Sequence, residues 1–99
     1  MAIALVQEFP SDPSDTSTTN YDAVQQRLNI EVDPPAGLIA HTAGFTGRGV
    51  FRIFGVWESE ADWHRFRDQR LMPAVAPMME AGGRAPDEYT YRLHDLILA

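Results

Sequence analysis

No cysteine occurs among the 99 residues, so neither a disulfide framework nor a thiolate metal site is available. Basic residues are few: eight Lys and Arg stand against fourteen Asp and Glu, a formal charge of -6. That balance repels a phosphate backbone, and nucleic acid is not an expected partner. Long apolar runs are missing too. Uninterrupted stretches such as Ala2 to Val6 fall far short of the ~20 residues an apolar helix needs to cross a bilayer, so no membrane span is expected. The N-terminus has no basic flank followed by an apolar segment and a small-residue cleavage site, which makes the cytoplasm the expected location. There is no His-x-x-x-His spacing, and carboxylates cluster only in the Ser-rich connector and at the start of the second helix. Neither a metal nor another cofactor is therefore expected.

What is present reads as one globular domain, with 44% apolar and 22% charged residues and no room for a second core. A first strand over Ala2 to Phe9 is closed by Pro10. The stretch Ser11 to Thr19, crowded with Ser, Thr, Asp and Pro, is expected to be a mobile connector, long and polar enough to act as a lid. Asn20 is placed to cap a helix carrying Tyr21, Val24 and Leu28 on one face, with Pro34 and Pro35 ending it. Gly37 to Phe45 and Val50 to Trp57 form a hairpin about the turn Thr46-Gly47-Arg48-Gly49. Ser59 and Asp62 resemble a capping box that opens a second helix running to about Met72, where Pro73 interrupts it. Pro77 and Gly82-Gly83 break the continuation before a last strand over about Glu88 to Leu98. The order strand, helix, strand, strand, helix, strand predicts an α+β, ferredoxin-like antiparallel sheet with both helices on one face. The other face is left uncovered, and a second copy of the chain is the expected cover, giving a homodimer.

The run Phe51-Arg-Ile-Phe-Gly-Val-Trp57-Glu-Ser-Glu-Ala-Asp-Trp-His-Arg-Phe66 resembles the third strand and second helix of the antibiotic biosynthesis monooxygenase superfamily. Its Trp-Glu-Ser junction is the most recognisable part. The resemblance implies a dimeric α+β barrel, with a pocket between the helices and the sheet and Trp57 in its wall. In the haem-degrading members the axial histidine falls about where Arg67 stands here, which argues against haem.

Strand alternation puts Phe51, Ile53, Gly55 and Trp57 on one face, with the glycine leaving space for a ligand. Trp57 is either a stacking surface or a core residue alone. Projection of the second helix puts Trp63, Phe66, Arg67, Arg70 and Leu71 around one face. The two arginines are either surface ion-pair partners with snorkelling stems or donors to an enolate, phenolate or carboxylate. Of three histidines, His41 is the candidate acid-base group, set among small neighbours. It is alternatively a buried histidine satisfied by backbone or water, and one residue of hairpin register decides whether it shares the face of Trp57. His64 is expected in solvent. His94 and Asp95 point to opposite faces of a strand and make no dyad. Tyr89 and Tyr91 share a face and either flank the cavity or pack at an edge.

Three functions fit these residues. One is a cofactor-free enzyme acting on an aromatic or polyketide-like molecule by proton transfer or oxygenation, with Trp57, Phe66, Arg70 and the Phe51 face binding, and with Arg67 and His41 catalytic. The others are a non-catalytic binder of an apolar or aromatic small molecule and a dimeric scaffold.

Overall fold

The computed structural model describes residues 2–10, 17–47, 49–83 and 85–99. Strand β1 (Ile3–Pro10) lies at the centre of a four-stranded antiparallel sheet of order β2-β3-β1-β4, with β2 at Leu38–Phe45, β3 at Val50–Trp57 and β4 at Asp87–Arg92. This is the α+β ferredoxin-like arrangement that the element order predicts, with the helices on one face. As a central strand, β1 is buried on both faces from Ile3 to Gln7, which is why it reads as a nearly continuous apolar run. Ile3, Leu5 and Gln7 turn toward the helices; Ala4 and Val6 turn away from them.

Helix α1 (Thr19–Leu28) starts one residue before Asn20. Thr18 stands at its N-cap, its hydroxyl donating to Asp22 at 2.8 Å. The helix ends before Pro34 and Pro35 are reached, because Asn29 takes a left-handed conformation (φ 51°) and returns its N–H to the Gln25 carbonyl. Residues 11–16 of the expected connector, and Arg48 of the hairpin turn, lie outside the described residues. The turn is closed by the Thr46 N–H donating to the Val50 carbonyl at 2.8 Å, with Gly49 at φ 75°.

The second helix departs most from expectation. Ser59 caps α2 (Glu60–Phe66) by accepting the Asp62 N–H at 3.1 Å, while its hydroxyl donates to the Asp62 carboxylate at 2.9 Å. Pro73 does not end the helix. A π-turn over Arg67–Leu71 follows, in which the Met72 N–H reaches back five residues to the Arg67 carbonyl, and α3 (Met72–Glu80) continues from there. The shift of ladder places Pro73 in the first turn of α3, where a missing N–H is tolerated. Pro77 lies inside α3 and removes one further donor. The Arg27 guanidinium donates to the adjacent Ala74 carbonyl at 2.9 Å and ties α1 to α3.

The last strand is shorter than predicted. It stops at Arg92, opposite Ile3, because its partner β1 begins there; one further bond, Leu93 N–H to the Ala2 carbonyl at 3.0 Å, ends the pairing. Leu96, Ile97 and Leu98 follow outside the sheet with exposed side chains. The core forms between sheet and helices, where Trp57, Trp63 and Phe66 meet at ring-centroid distances of 5.2 to 6.2 Å above Leu5, Val24 and Leu28. No helix among the described residues is long and apolar enough to cross a membrane.

Candidate functional site

A cavity of about 680 Å³ opens between the helix-side face of the sheet and the helices. Its floor is the row Leu5, Gln7, Ile53, Gly55 and Trp57; its roof comes from Tyr21 and Val24 of α1, Trp63 and Phe66 of α2, and Val75, Met78 and Met79 of α3. The helix that runs on past Pro73 supplies the last three, which reading a helix end at Pro73 could not anticipate.

The hairpin register settles the face of His41. His41 pairs directly with Gly55, so the imidazole shares the face of Phe51, Ile53 and Trp57 and stands in the cavity wall. The register runs unbroken from the turn, with Phe45 opposite Phe51, to His41; the irregularity between Leu38 and Ala40 lies beyond His41 and inserts one residue against the Trp57-Val56 step. Burial pushes the His41 pKa below its ordinary value, which keeps the ring neutral near pH 7. Its Nε2 lies 2.7 Å from the Tyr21 hydroxyl, and the two rings are parallel to within 3°. Burial, with a smaller push from the Asp22 carboxylate, raises the Tyr21 pKa and keeps the phenol protonated.

Trp57 belongs to the core and to the cavity wall together. Only 3% of it is exposed, and its indole Nε1 sits 3.4 Å from where a Cβ on Gly55 would stand. Little of its ring is left to meet a ligand. The accessible aromatic surface lies toward the β2–β3 turn, where Phe51 meets Tyr21 at 5.1 Å, Phe45 at 5.0 Å and Phe9 at 6.4 Å.

The π-turn separates the two arginines that a helical projection groups together. Arg67 lines the cavity, where Asp68, hydrogen-bonded to it at 2.9 Å, raises its pKa and keeps it charged, with Glu88 adding to the effect. Arg70 does not reach the cavity. Its guanidinium donates to the carbonyls of Leu28 at 2.7 Å and Asp33 at 3.0 Å and lies 5.6 Å from the centre of the Phe66 ring, so it fastens the end of α1 to the π-turn. Tyr89 and Tyr91 are also outside the cavity: they pair with Val6 and Ala4 and project from the opposite sheet face, about half exposed. His64 and His94 are exposed.

Two cavity features went unnoticed in the sequence. Tyr21 is visible there only as a helix-face residue, since its partner His41 is twenty positions away. Gln7 is the polar member of an inward-facing series Ile3, Leu5, Gln7, Phe9, and that break in the pattern was its signal. It is 7% exposed, and its carboxamide donates to Glu88 at 2.8 Å across the β1–β4 pair. Among the described residues, no group of three or more His, Cys, Asp or Glu could hold a metal ion.

No protein-family model and no curated protein sequence matches this chain. Solved structures do match it. SnoaB from Streptomyces nogalater, a cofactor-independent oxygenase, superposes with a TM-score of 0.67 at 13% identity, covering 97% of this chain and 96% of that one. A Caulobacter crescentus CB15 protein provisionally assigned as an antibiotic biosynthesis monooxygenase gives a TM-score of 0.68 at 16% identity over 95% and 91% of the two chains. NE2512 from Nitrosomonas europaea, of unknown function, gives 0.71 at 19% identity over 99% and 94%. The chain thus has the fold of antibiotic biosynthesis monooxygenase-like proteins, a fold that carries more than one function.

Proposed function

We propose that this chain is a cofactor-free enzyme acting by proton transfer or oxygenation on an aromatic or polyketide-like compound held in the cavity. The observation that carries this reading is the position of His41: a neutral imidazole in the wall of a mainly apolar, aromatic-lined space that Arg67 also lines. There it accepts a proton from the ligand, and the charged Arg67 stabilises the resulting enolate or phenolate. Phe51 and Ile53 contact the ligand's rings, Phe66 and Trp57 close the deep wall, and Gly55 leaves room above the floor. The fold shared with a cofactor-independent oxygenase supports the reading without naming a substrate.

A non-catalytic metabolite-binding protein is the second reading. It is favoured by the partner of His41, which is a phenol and not a carboxylate, so that among the described residues nothing next to the imidazole raises its basicity.

In both readings the chain works as a cytoplasmic, single-domain homodimer through the sheet face that the helices leave open. Tyr89 and Tyr91 expose their rings there, over the buried Ala4 and Val6 of the neighbouring β1.

The test is a thermal-shift screen of the purified protein against aromatic, polyketide-like and haem ligands, repeated with Ile53→Trp and His41→Gln. Ile53→Trp fills the cavity without touching the buried tryptophans. A concentration-dependent shift lost in Ile53→Trp, with turnover lost in His41→Gln while binding persists, supports the enzyme. Turnover that survives in His41→Gln, or binding without turnover in the wild type, rejects it.

A further inference from the structure

The Nε2 of His41 is engaged by the Tyr21 hydroxyl at 2.7 Å, with the two ring planes parallel, and both side chains line the cavity. From this arrangement we infer that Tyr21, with His41 behind it, forms a two-member proton relay that receives the proton of an acidic hydroxyl or enol on the bound ligand. This rests on the proton-transfer reading of the cavity and adds the group that meets the ligand.

The transfer balances without any further reactant. The ligand's O–H proton passes to the Tyr21 oxygen as the Tyr21 proton passes to His41 Nε2, so the ligand becomes an anion, Tyr21 is again a phenol and His41 becomes an imidazolium. The relay requires the resting tautomer in which the phenol O–H donates to Nε2 and the imidazole proton sits on Nδ1. Each partner is held by a different element, Tyr21 by the first turn of α1 and His41 by the middle of β2. Phe51, 5.1 Å from Tyr21, braces the phenol ring. Among the described residues no acidic side chain is bonded to His41, so the charge created on transfer is balanced by the ligand anion itself, in a cavity that Arg67 also lines. The site therefore selects ligands whose acidity lies near that of an imidazolium: phenols with electron-withdrawing substituents, enols of 1,3-dicarbonyl compounds and hydroxyquinones.

The experiment uses 4-nitro-1-naphthol, whose anion absorbs in the visible while its neutral form does not, at a pH below its own pKa. Absorption spectra and binding are recorded for the wild type, Tyr21→Phe, His41→Gln and the double variant. Tyr21→Phe keeps the ring that packs on Phe51, and circular dichroism checks the fold of each variant. The expected result is a bound-anion band in the wild type that falls by about tenfold or more in each single variant and no further in the double, with binding retained within about threefold. A full band in Tyr21→Phe overturns the relay and makes His41 the direct acceptor, leaving the proton-transfer reading intact. Binding without any anion band in the wild type overturns the relay and the proton-transfer reading together. No saturable binding overturns the relay along with the cavity's role as a ligand site.

Discussion

Replacing each of the two arginines of the π-turn, Arg67 in the cavity wall and Arg70 outside it, should separate stability from ligand chemistry. Arg70→Met keeps the apolar stem over Phe66 and removes the guanidinium, leaving the Leu28 and Asp33 carbonyls without its N–H donors. A hydrogen bond from a charged donor contributes about 1.5–3 kcal/mol when partly buried. The bond to Asp33 is exposed, as is the ion pair to the Asp33 carboxylate at 3.6 Å, and both count for little in water. The net loss is then about 2 kcal/mol, carried mainly by the Leu28 contact. For a domain of this size that corresponds to a fall in melting temperature of roughly 8–16 °C. Arg67→Gln removes only an exposed contact to its sequence neighbour Asp68 and leaves the melting temperature nearly unchanged. The order reverses for ligand chemistry: Arg67→Gln weakens the bound anion, whereas Arg70→Met does not. Calorimetry and an anion-binding titration on both variants decide the matter. An Arg70→Met protein that melts like the wild type, or that loses the anion while Arg67→Gln keeps it, refutes the assignment.

Four further outcomes follow from other parts of the molecule. The His41 pKa is lowered by burial relative to 6.5, so in the window between its folded value and 6.5 the unfolded chain binds more protons; stability falls as pH drops through that window, and His41→Gln flattens this part of a urea-midpoint-versus-pH curve. Ser59→Ala removes the cap of α2 and costs about 1 kcal/mol in chemical denaturation, while the Asp62 carboxyl, held low first by Ser59 and then by Arg65, rises toward its ordinary value by NMR titration. Gly37→Ala costs more than about 1 kcal/mol, because residue 37 has φ 88° and an added Cβ would collide with the Asp62 side chain; a variant as stable as the wild type would contradict that contact. Under the proposed dimer, sedimentation velocity finds a dimer for the wild type and a monomer for Tyr89→Asp; an unchanged sedimentation coefficient removes the open sheet face as the dimer contact.

Local physics alone determined several features of this protein. The alternation of β3, the turn residues around Gly47 and Gly49, and the Ser59–Asp62 cap depend on neighbours a few positions apart, and the element order they define admits few topologies. The inward set Phe51, Ile53, Gly55 and Trp57 follows from the period of a strand. Other features needed the tertiary structure, because each depends on a partner distant in sequence. The face of His41 is set by the pairing that the β2–β3 turn fixes, from Phe45 opposite Phe51 to His41 opposite Gly55, and a shift by one would have turned it from the cavity. Pro73 signals a helix end, yet the π-turn moves the hydrogen-bond ladder, so the helix continues, completes the cavity roof and sends Arg70 to α1 while Arg67 stays inside. β4 ends where β1 begins, a limit its own apolar residues to Leu98 do not record. The contact between Tyr21 and His41 exists only once α1 has packed across β2, which no spacing along the chain encodes.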